Sequence, residues 1–251
     1  MSEDNYPNLQ LEGRKAVLEA LKHNQPIDRI LIRKEKDGRV EGTLNIIAAK
    51  AREARVVVQE TDKSKLDTIA QSGNHQGVIA ICPIKQYSEV DDILAAAAAK
   101  GEPPFIVVLD GITDPHNLGA IIRTAEAGGV HGIIIPKRRA AGLTGIVAKT
   151  SSGAISFMPV ARVPNLARVL DDLKKAGLWI ICADMDGDSL YNTDFNGPVA
   201  LVIGAEGSGV SRLISEISDY QVKIPMLGRI EALNASVAAG ILIYEVVRVR
   251  I

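Results

Sequence analysis

The sequence predicts an α/β protein in which a mostly parallel sheet is covered by helices on both faces. From residue 105 onward, short and almost continuously apolar segments alternate with longer segments of helical pattern. Strands that are apolar throughout are typical of parallel sheets, because helices bury both of their faces. Polar or glycine-rich residues follow several of these strands, at the edge where open parallel sheets bind their ligands.

The elements of the larger domain can be placed from this alternation. The predicted strands cover residues 105–111, 132–136, 157–163, 178–184, 199–204 and 221–224. The predicted helices cover residues 117–127, 165–176 and 233–248, and a further helix lies between the second and third strands. Together these elements predict one α/β domain over residues 105–251.

Residues 1–85 form a second, smaller α/β pattern. Helices are predicted over residues 11–24, 42–54 and 63–71, with Asp62 capping the last, and strands over residues 29–33, 55–59 and 77–82. Residues 86–104 are predicted to be a linker that contains a helix, with Ser88 as its N-cap and Gly101 at its end. The sequence therefore predicts two domains joined by this linker.

Composition limits the classes of function. The formal net charge is −1 and aromatic residues make up 4% of the chain, so neither a uniformly basic surface nor base stacking on aromatic rings is expected to dominate nucleic-acid binding. Any such binding has to come from local clusters of Lys and Arg. A polar N-terminus without a signal-peptide core and the lack of a membrane-length apolar run predict a cytoplasmic protein.

Metal and thiol chemistry are not expected. The four histidines and two cysteines show no metal-ligand spacing, and Cys82 and Cys182 both lie in apolar runs. Buried, reduced thiols without a catalytic role are the prediction.

Three segments carry the candidate chemistry, and the first follows strand 105–111. Asn117 lies at the start of the next helix, and Arg123 follows six residues later. Helix capping by Asn117 and a surface position for Arg123 would explain each residue singly. As a pair they suit the recognition of ribose and phosphate, because the guanidinium is a planar fork of donors.

The second segment follows strand 199–204 and contains Gly204, Glu206, Gly207 and Gly209. Its glycine spacing is neither the dinucleotide fingerprint nor a P-loop. A tight turn would explain the glycines, and so would close approach of the backbone to a cofactor.

The third segment runs from Lys223 into the last helix and contains Ala232, Asn234 and Ser236. Asn234 is the predicted N-cap of that helix. Capping alone would explain both Asn234 and Ser236.

In this order, the three segments resemble the three motifs of the SpoU, or TrmH, family of RNA ribose 2′-O-methyltransferases. The resemblance covers residues 105–251. Residues 1–85 resemble the small RNA-binding domain of ribosomal protein L30e-like fold that many members carry, through Glu12 to Leu21 and His75 to Val78. The resemblance implies a trefoil-knotted, SPOUT-like catalytic domain, S-adenosylmethionine as methyl donor, RNA as substrate and a homodimer in which the sites share residues.

The resemblance also implies roles for particular residues. Asn117, Arg123, Glu206, Asn234 and Ser236 match the catalytic motif positions, and Arg123 is expected to stabilise the reacting 2′-oxygen by its charge. The cofactor is expected to be held by backbone around Gly204, Ile224, Met226 and Leu233. Members commonly carry Ser where this chain has Ala232, two residues before Asn234, so one hydroxyl of the family pattern is missing.

Three functions remain open at this point. The two-domain layout favours a guanosine of 23S ribosomal RNA as the target. The alternatives are methylation of tRNA ribose and a non-catalytic ribosome-assembly factor that keeps the fold.

Overall fold

The computed structural model describes residues 10–34, 42–70, 74–229 and 232–251. The chain divides into two compact units. The first runs to residue 86 and also takes in residues 142–145, and the second comprises residues 87–141 and 146–251.

The first unit is built on a four-stranded sheet in the order β1-β4-β2-β3. Strands β2 and β3 are parallel, and β4 runs antiparallel to both β1 and β2. Its elements are β1 (Gln10–Glu12), α1 (Arg14–Lys22), β2 (Arg29–Arg33), α2 (Thr43–Glu53), β3 (Val57–Thr61), α3 (Lys63–Ile69) and β4 (Val78–Ile81). Helices α1 and α2 bury Val17 and Ile47 against Ile30 of β2 in one core.

The start of this unit differs from the prediction of a helix over residues 11–24. Leu11 lies in β1 and pairs with Ala80, and the helix begins only at Arg14. The reason is Gly13, whose φ of 90° lies outside the helical region and turns the chain between strand and helix. The predicted cap of α3 is confirmed, since the Asp62 side chain accepts a hydrogen bond from the backbone N–H of Lys65 at 2.8 Å.

The second unit contains a six-stranded sheet in the order β10-β8-β9-β5-β6-β7, in which every neighbouring pair is parallel. This confirms the predicted parallel α/β fold. The strands are β5 (Phe105–Asp110), β6 (Gly132–Pro136), β7 (Val160–Val163), β8 (Trp179–Ser189), β9 (Val199–Gly204) and β10 (Tyr220–Lys223). The helices are α4 (Val90–Lys100), α5 (Pro115–Ala127), α6 (Gly145–Thr150), α7 (Leu166–Lys175), α8 (Arg212–Ile217) and α9 (Ala235–Arg250).

Helix α4, predicted to lie inside a linker, packs into the core of the second unit. Ile93 is fully buried there, and it approaches Gly132 so closely that a Cβ at that glycine would lie 2.5 Å from it. The N-cap is Glu89 and not Ser88, because Ser88 is drawn into a bridge with Ala161 beside β7. Gly101 ends the helix in a left-handed conformation, as predicted.

Strand β8 is five residues longer than its apolar part predicts, since it continues from Asp184 to Ser189. The polar extension pairs with β10, and the register shifts between Gln221 and Val222. Gly187 permits this pairing, because a Cβ there would lie 2.4 Å from the Gln221 backbone.

A buried histidine lies at the amino end of β5. The His131 side chain is 1% exposed; its Nδ1 accepts from the Phe105 N–H at 3.0 Å and its Nε2 lies 3.0 Å from a Glu102 carboxylate oxygen. Burial lowers the pKa of His131; the positive charges of Lys100 and Arg250 act in the same direction, and Glu102 opposes them.

The end of α9 is fixed at the same edge. The Arg250 guanidinium donates to the backbone carbonyls of Pro103, Pro104 and Gly197 and lies over the Phe105 ring. Helix α9 is therefore anchored to the segment that leads into β5.

Candidate functional site

The carboxyl ends of β5, β9 and β10 bring the three predicted segments to one edge of the sheet. Strands β5 and β9 are direct neighbours, with Asp110 paired to Gly204 at their last residues. The Asp110 carboxylate then accepts a hydrogen bond from the Ser211 N–H at 2.8 Å, which ties the loop after β5 to the loop after β9.

One amide joins all three segments. Asn234 Nδ2 donates to Asn117 Oδ1 at 2.9 Å and to Glu206 Oε2 at 3.2 Å. Asn234 Oδ1 accepts from the N–H groups of Ser236 and Val237 and from the Ser236 hydroxyl at 2.6 Å. Asn117, Glu206, Asn234 and Ser236 thus form one hydrogen-bonded group, named here the polar junction. Asn234 is therefore both the predicted N-cap of α9 and the centre of the polar junction.

Arg123 lies outside the polar junction. It follows Asn117 by six residues on α5, which corresponds to about 9 Å along the helix axis. Its side chain is exposed, whereas its helix neighbours Ile121 and Ile122 are buried. The hydrogen-bond partner of the Asn117 oxygen among the described residues is Asn234.

A cavity of about 760 Å³ lies beside the polar junction. It is lined by residues 183–186 of β8, residues 203–210 at the end of β9 and in the loop after it, residues 222–226 and 228 at the end of β10 and after it, residues 232–233 before α9, and Ala235 and Ala238 in α9. The four residues expected to hold the cofactor, Gly204, Ile224, Met226 and Leu233, all lie in its wall, as does Glu206 of the polar junction.

The shape of the loop after β9 supports the tight turn as the explanation of Gly204. A Cβ on Gly204 would lie 2.0 Å from the Gly209 carbonyl carbon and 2.2 Å from the Val210 nitrogen. The loop closes on itself here, with Ala205 and Gly209 exchanging backbone hydrogen bonds at 3.1 and 2.9 Å. Gly204 is therefore required by the fold of the loop, and a larger residue would disrupt the cavity wall before it could obstruct a ligand.

Residues 183–186 are cavity-lining residues that sequence reasoning missed. Asp184 accepts a hydrogen bond from the Ser215 hydroxyl of α8 at 3.0 Å, which holds this part of β8 in place. The signal available in the sequence was the polar segment 184–189 directly after an apolar strand.

Ala232, the departure from the family pattern, is exposed and lies in the cavity wall, so a serine there would present its hydroxyl to this space.

Cys82 and Cys182 are buried free thiols, and burial raises the pKa of each. Among the residues that the structure describes, no group of three His, Cys, Asp or Glu side chains is gathered as metal ligands would be. Within the same residues, no helix is long and apolar enough to cross a membrane.

Comparison with known proteins gives a consistent result. Residues 104–244 match the model of the SpoU rRNA Methylase family, and residues 10–88 match that of the RNA 2′-O ribose methyltransferase substrate-binding domain. A Bacillus subtilis protein named for the TrmH family of tRNA/rRNA methyltransferases is 46% identical over 95% of this chain and 94% of its own length.

Solved structures agree with these matches. The SpoU methyltransferase AviRb from Streptomyces viridochromogenes, in complex with AdoMet, superposes with a TM-score of 0.60 at 27% identity, over 97% of this chain and 90% of that one. An AdoMet-bound rRNA methyltransferase from Sinorhizobium meliloti has the same TM-score and identity, over 97% of this chain and 88% of its own. The three motifs, the parallel sheet and these relatives lead to one conclusion: the chain belongs to the SpoU, or TrmH, family of RNA methyltransferases.

Proposed function

We propose that this protein transfers a methyl group from S-adenosylmethionine to the ribose 2′-hydroxyl of a guanosine in 23S ribosomal RNA. The observation that carries the proposal is the Asn234 amide, which joins all three motifs beside a cavity of suitable size. The catalytic residues of the proposal are Asn117, Arg123, Glu206, Asn234 and Ser236.

The cavity fits the methyl donor. Its wall combines backbone of the glycine-rich loop with apolar side chains of Ile203, Met226 and Leu233. When bound, S-adenosylmethionine supplies an electrophilic methyl group on a sulfonium. The backbone around Gly204, Ile224, Met226 and Leu233 would hold it, and the polar junction would fix the position of this wall. Because methyl transfer is an in-line displacement, orientation by these residues provides much of the acceleration.

Arg123 is the proposed activator of the ribose. A guanidinium has donors only and no free acceptor, so electrostatic stabilisation of the reacting 2′-oxygen is favoured over proton abstraction. Its fork of donors can also bind the adjacent phosphate. Arg123 lies apart from the polar junction of the same subunit, and this separation fits a site that is shared between two subunits.

A homodimer is therefore part of the proposal. Helix α9 exposes Val237, Ile241 and Tyr244 by 50%, 37% and 50%, and these residues recur on one face at i, i+4 and i+7. Helix α5 packs beside this helix, since a Cβ on Gly240 would contact Thr124, the residue after Arg123. A second copy of the chain that packs against this apolar face of α9 would bury the face and would lie next to Arg123.

The first domain, residues 1–85, is proposed to select the RNA, with residues 86–104 as the linker and residues 105–251 as the catalytic domain. Its basic residues support this role, namely Arg14, Lys15, Arg29, Arg33 and Lys34. Lys36, which follows them in the sequence, lies outside the described residues. Because both candidate RNA classes occur in the cytoplasm, that compartment is proposed too.

The alternative target is tRNA. A structure described as giving insight into 2-OH methylation of C/U34 on tRNA matches 58% of this chain but 95% of its own, with a TM-score of 0.53. The relatives that cover both domains include the rRNA methyltransferase, and this favours ribosomal RNA. A non-catalytic assembly factor is the remaining alternative, and Ala232 is the feature that supports it.

Mapping 2′-O-methylation across ribosomal and transfer RNA, from cells with and without the gene, tests the target. One guanosine of 23S RNA should lose its modification and regain it when purified protein and S-adenosylmethionine are added. The same RNA with a 2′-deoxy residue at that position should accept no methyl group. Loss of a tRNA modification instead would refute the ribosomal target, and no change in either RNA would favour the assembly factor.

Arg123 is tested separately. Arg123→Ala should leave the melting temperature nearly unchanged, because an exposed charge contributes little stability. Methyl transfer should fall about a hundredfold or more, the usual effect of removing one such stabilising donor. Arg123→Lys is the sharper variant, because it keeps the positive charge but loses the planar fork of donors. Near-normal turnover in Arg123→Ala would refute the mechanism.

A further inference from the structure

The first unit contains a cavity of its own, separate from the one beside the polar junction. It measures about 520 Å³ and is lined by Arg14, Arg33, Lys63, Asp67 and the turn formed by residues 74–77. This cavity is called the basic pocket here, since three cationic side chains and one carboxylate line it.

The turn that forms one side of the basic pocket is held rigidly. His75 is buried: its Nδ1 accepts a hydrogen bond from the Gly77 N–H at 3.0 Å and its Nε2 lies 2.9 Å from an Asp67 carboxylate oxygen. An acceptor role for Nδ1 places the ring proton on Nε2, so the ring donates to Asp67. The Asp67 carboxylate that lines the pocket is thereby engaged by His75.

The same turn positions one of the cations. Gln76 has a φ of 50° and Gly77 a φ of 83°, a left-handed pair that directs the Gln76 carbonyl and side chain toward α1. Arg14 Nε donates to the Gln76 carbonyl at 3.1 Å, and the Arg14 N–H donates to Gln76 Oε1 at 3.2 Å. Counting partners in the described ranges alone, these bonds involve one of the three guanidinium nitrogens of Arg14, so its two terminal amino groups can donate to a ligand.

Arg33 completes the arrangement from the end of β2. Its backbone N–H donates to the Gly77 carbonyl at 2.8 Å, and a Cβ on Gly77 would lie 3.4 Å from the Arg33 Cβ. The turn therefore lies against both arginines, while the exposed Lys63 approaches from the start of α3. Cations that are held in place around a concavity bind phosphate better than a diffuse basic surface does, because less side-chain freedom is lost on binding.

We propose that the basic pocket binds a phosphate-bearing nucleotide of single-stranded or looped RNA, with Arg14, Arg33 and Lys63 on the phosphate and the amides of Asn74 and Gln76 toward the ribose or base. Unpaired nucleotides are the parts of RNA whose phosphates and base edges can enter such a cavity. The inference rests on the proposal that the first domain selects the RNA, and it locates that selection in one pocket.

The chain offers matched controls for a test. Lys22 is exposed on the same helix as Arg14, and Lys65 is exposed on the same helix as Lys63, but neither lines the basic pocket. The full chain and the variants Arg14→Gln, Lys63→Gln, Lys22→Gln and Lys65→Gln would be titrated onto a fluorescein-labelled single-stranded RNA of mixed sequence, followed by anisotropy at several salt concentrations. Because Lys63 is exposed, Lys63→Gln should fold normally, so weaker RNA binding by this variant would not be due to misfolding.

Each pocket variant should bind the RNA about tenfold more weakly, the effect of losing one charge-assisted contact. Each should also lower the slope of log K against log salt by about 0.7, the share of one phosphate on a single strand. The control variants should change neither quantity by a comparable amount. Equal losses in pocket and control variants would overturn the proposal in favour of a diffuse basic surface.

A competition experiment with AMP and inorganic phosphate tests whether the pocket binds RNA or a free nucleotide. Neither should displace the RNA at concentrations far above that of the protein. Saturable AMP binding that Lys63→Gln abolishes, with RNA affinity unchanged, would show that the pocket serves a free nucleotide and would overturn the RNA assignment. Calorimetric titration with S-adenosylmethionine should be unaffected in all four variants. Failure of the basic pocket would thus be distinguishable from failure of the proposed methyl transfer, which is measured on ribosomal RNA.

Discussion

Substitution of Asn234 separates helix capping from assembly of the site. Asn234→Ala removes the α9 cap, which is worth about 1 kcal/mol, together with two exposed side-chain hydrogen bonds of about 0.5–1.5 kcal/mol each. For a protein of this size, the summed loss of about 2–4 kcal/mol corresponds to a fall of roughly 4–16 °C in melting temperature. Methyl transfer should fall about a hundredfold, because small displacements at a reacting centre have effects of that size.

Asn165 provides the matched control. It caps α7 by accepting from the Arg168 N–H at 3.1 Å, is exposed like Asn234, and does not line the cofactor cavity. Asn165→Ala should therefore lose about 1 kcal/mol with transfer unchanged. Asn234→Asp is the sharper variant, since a carboxylate keeps the capping oxygen but cannot donate to Asn117 and repels Glu206.

The assay is transfer of a labelled methyl group to ribosomal RNA from cells lacking the gene, with melting temperatures recorded in parallel. We expect Asn234→Asp to retain more stability than Asn234→Ala and still to transfer poorly. If both Asn234 variants turned over within about twofold of the wild type, the polar junction would be a structural cap and nothing more.

Three further predictions concern the cavity, the buried histidine and the dimer. Gly204→Ala should abolish calorimetric S-adenosylmethionine binding, because its Cβ would overlap the Gly209 backbone; Gly207→Ala, at a φ of 83° but with open space around it, should cost only about 1 kcal/mol and retain binding. Because folding lowers the pKa of His131, the contribution of this residue to stability is present above its unfolded pKa of about 6.5 and is lost as the pH falls below that value. Denaturant titrations of His131→Gln should therefore show a weaker loss of stability on acidification than the wild type. An unchanged pH dependence in this variant would contradict the prediction. Ile241→Asp should yield monomers in analytical ultracentrifugation with greatly reduced transfer, and a monomeric wild type would refute the shared site.

The sequence predicted most of the second unit because its elements are continuous in sequence. Helices α5 and α9 and strands β5 and β9 lie within two residues of their predicted limits, since apolar runs and caps mark them locally. The caps Asp62 and Asn234 were predicted for the same reason.

Features that depend on distant partners were not predictable in this way. Leu11 reads as part of a helix, but it lies in a strand because β4, some seventy residues later, pairs with it. The extension of β8 beyond Asp184 depends on β10 in the same manner, and with it the cavity residues 183–186. The link from Asn234 to Asn117 spans 117 residues, so periodicity contains no sign of it. A knotted path was likewise inferable only from the resemblance, because knotted chains are very rare.

The position of Asn234 in the chain has a consequence for biosynthesis. Translation proceeds from the amino end, so the first two motifs leave the ribosome before the Asn234 amide that connects them. A nascent chain interrupted before α9 would contain the Asn117 and Glu206 side chains without the residue that holds them together. Competence for methyl transfer would then be acquired only after α9 has been synthesised, and chains that lack α9 would have no assembled site with which to modify RNA prematurely.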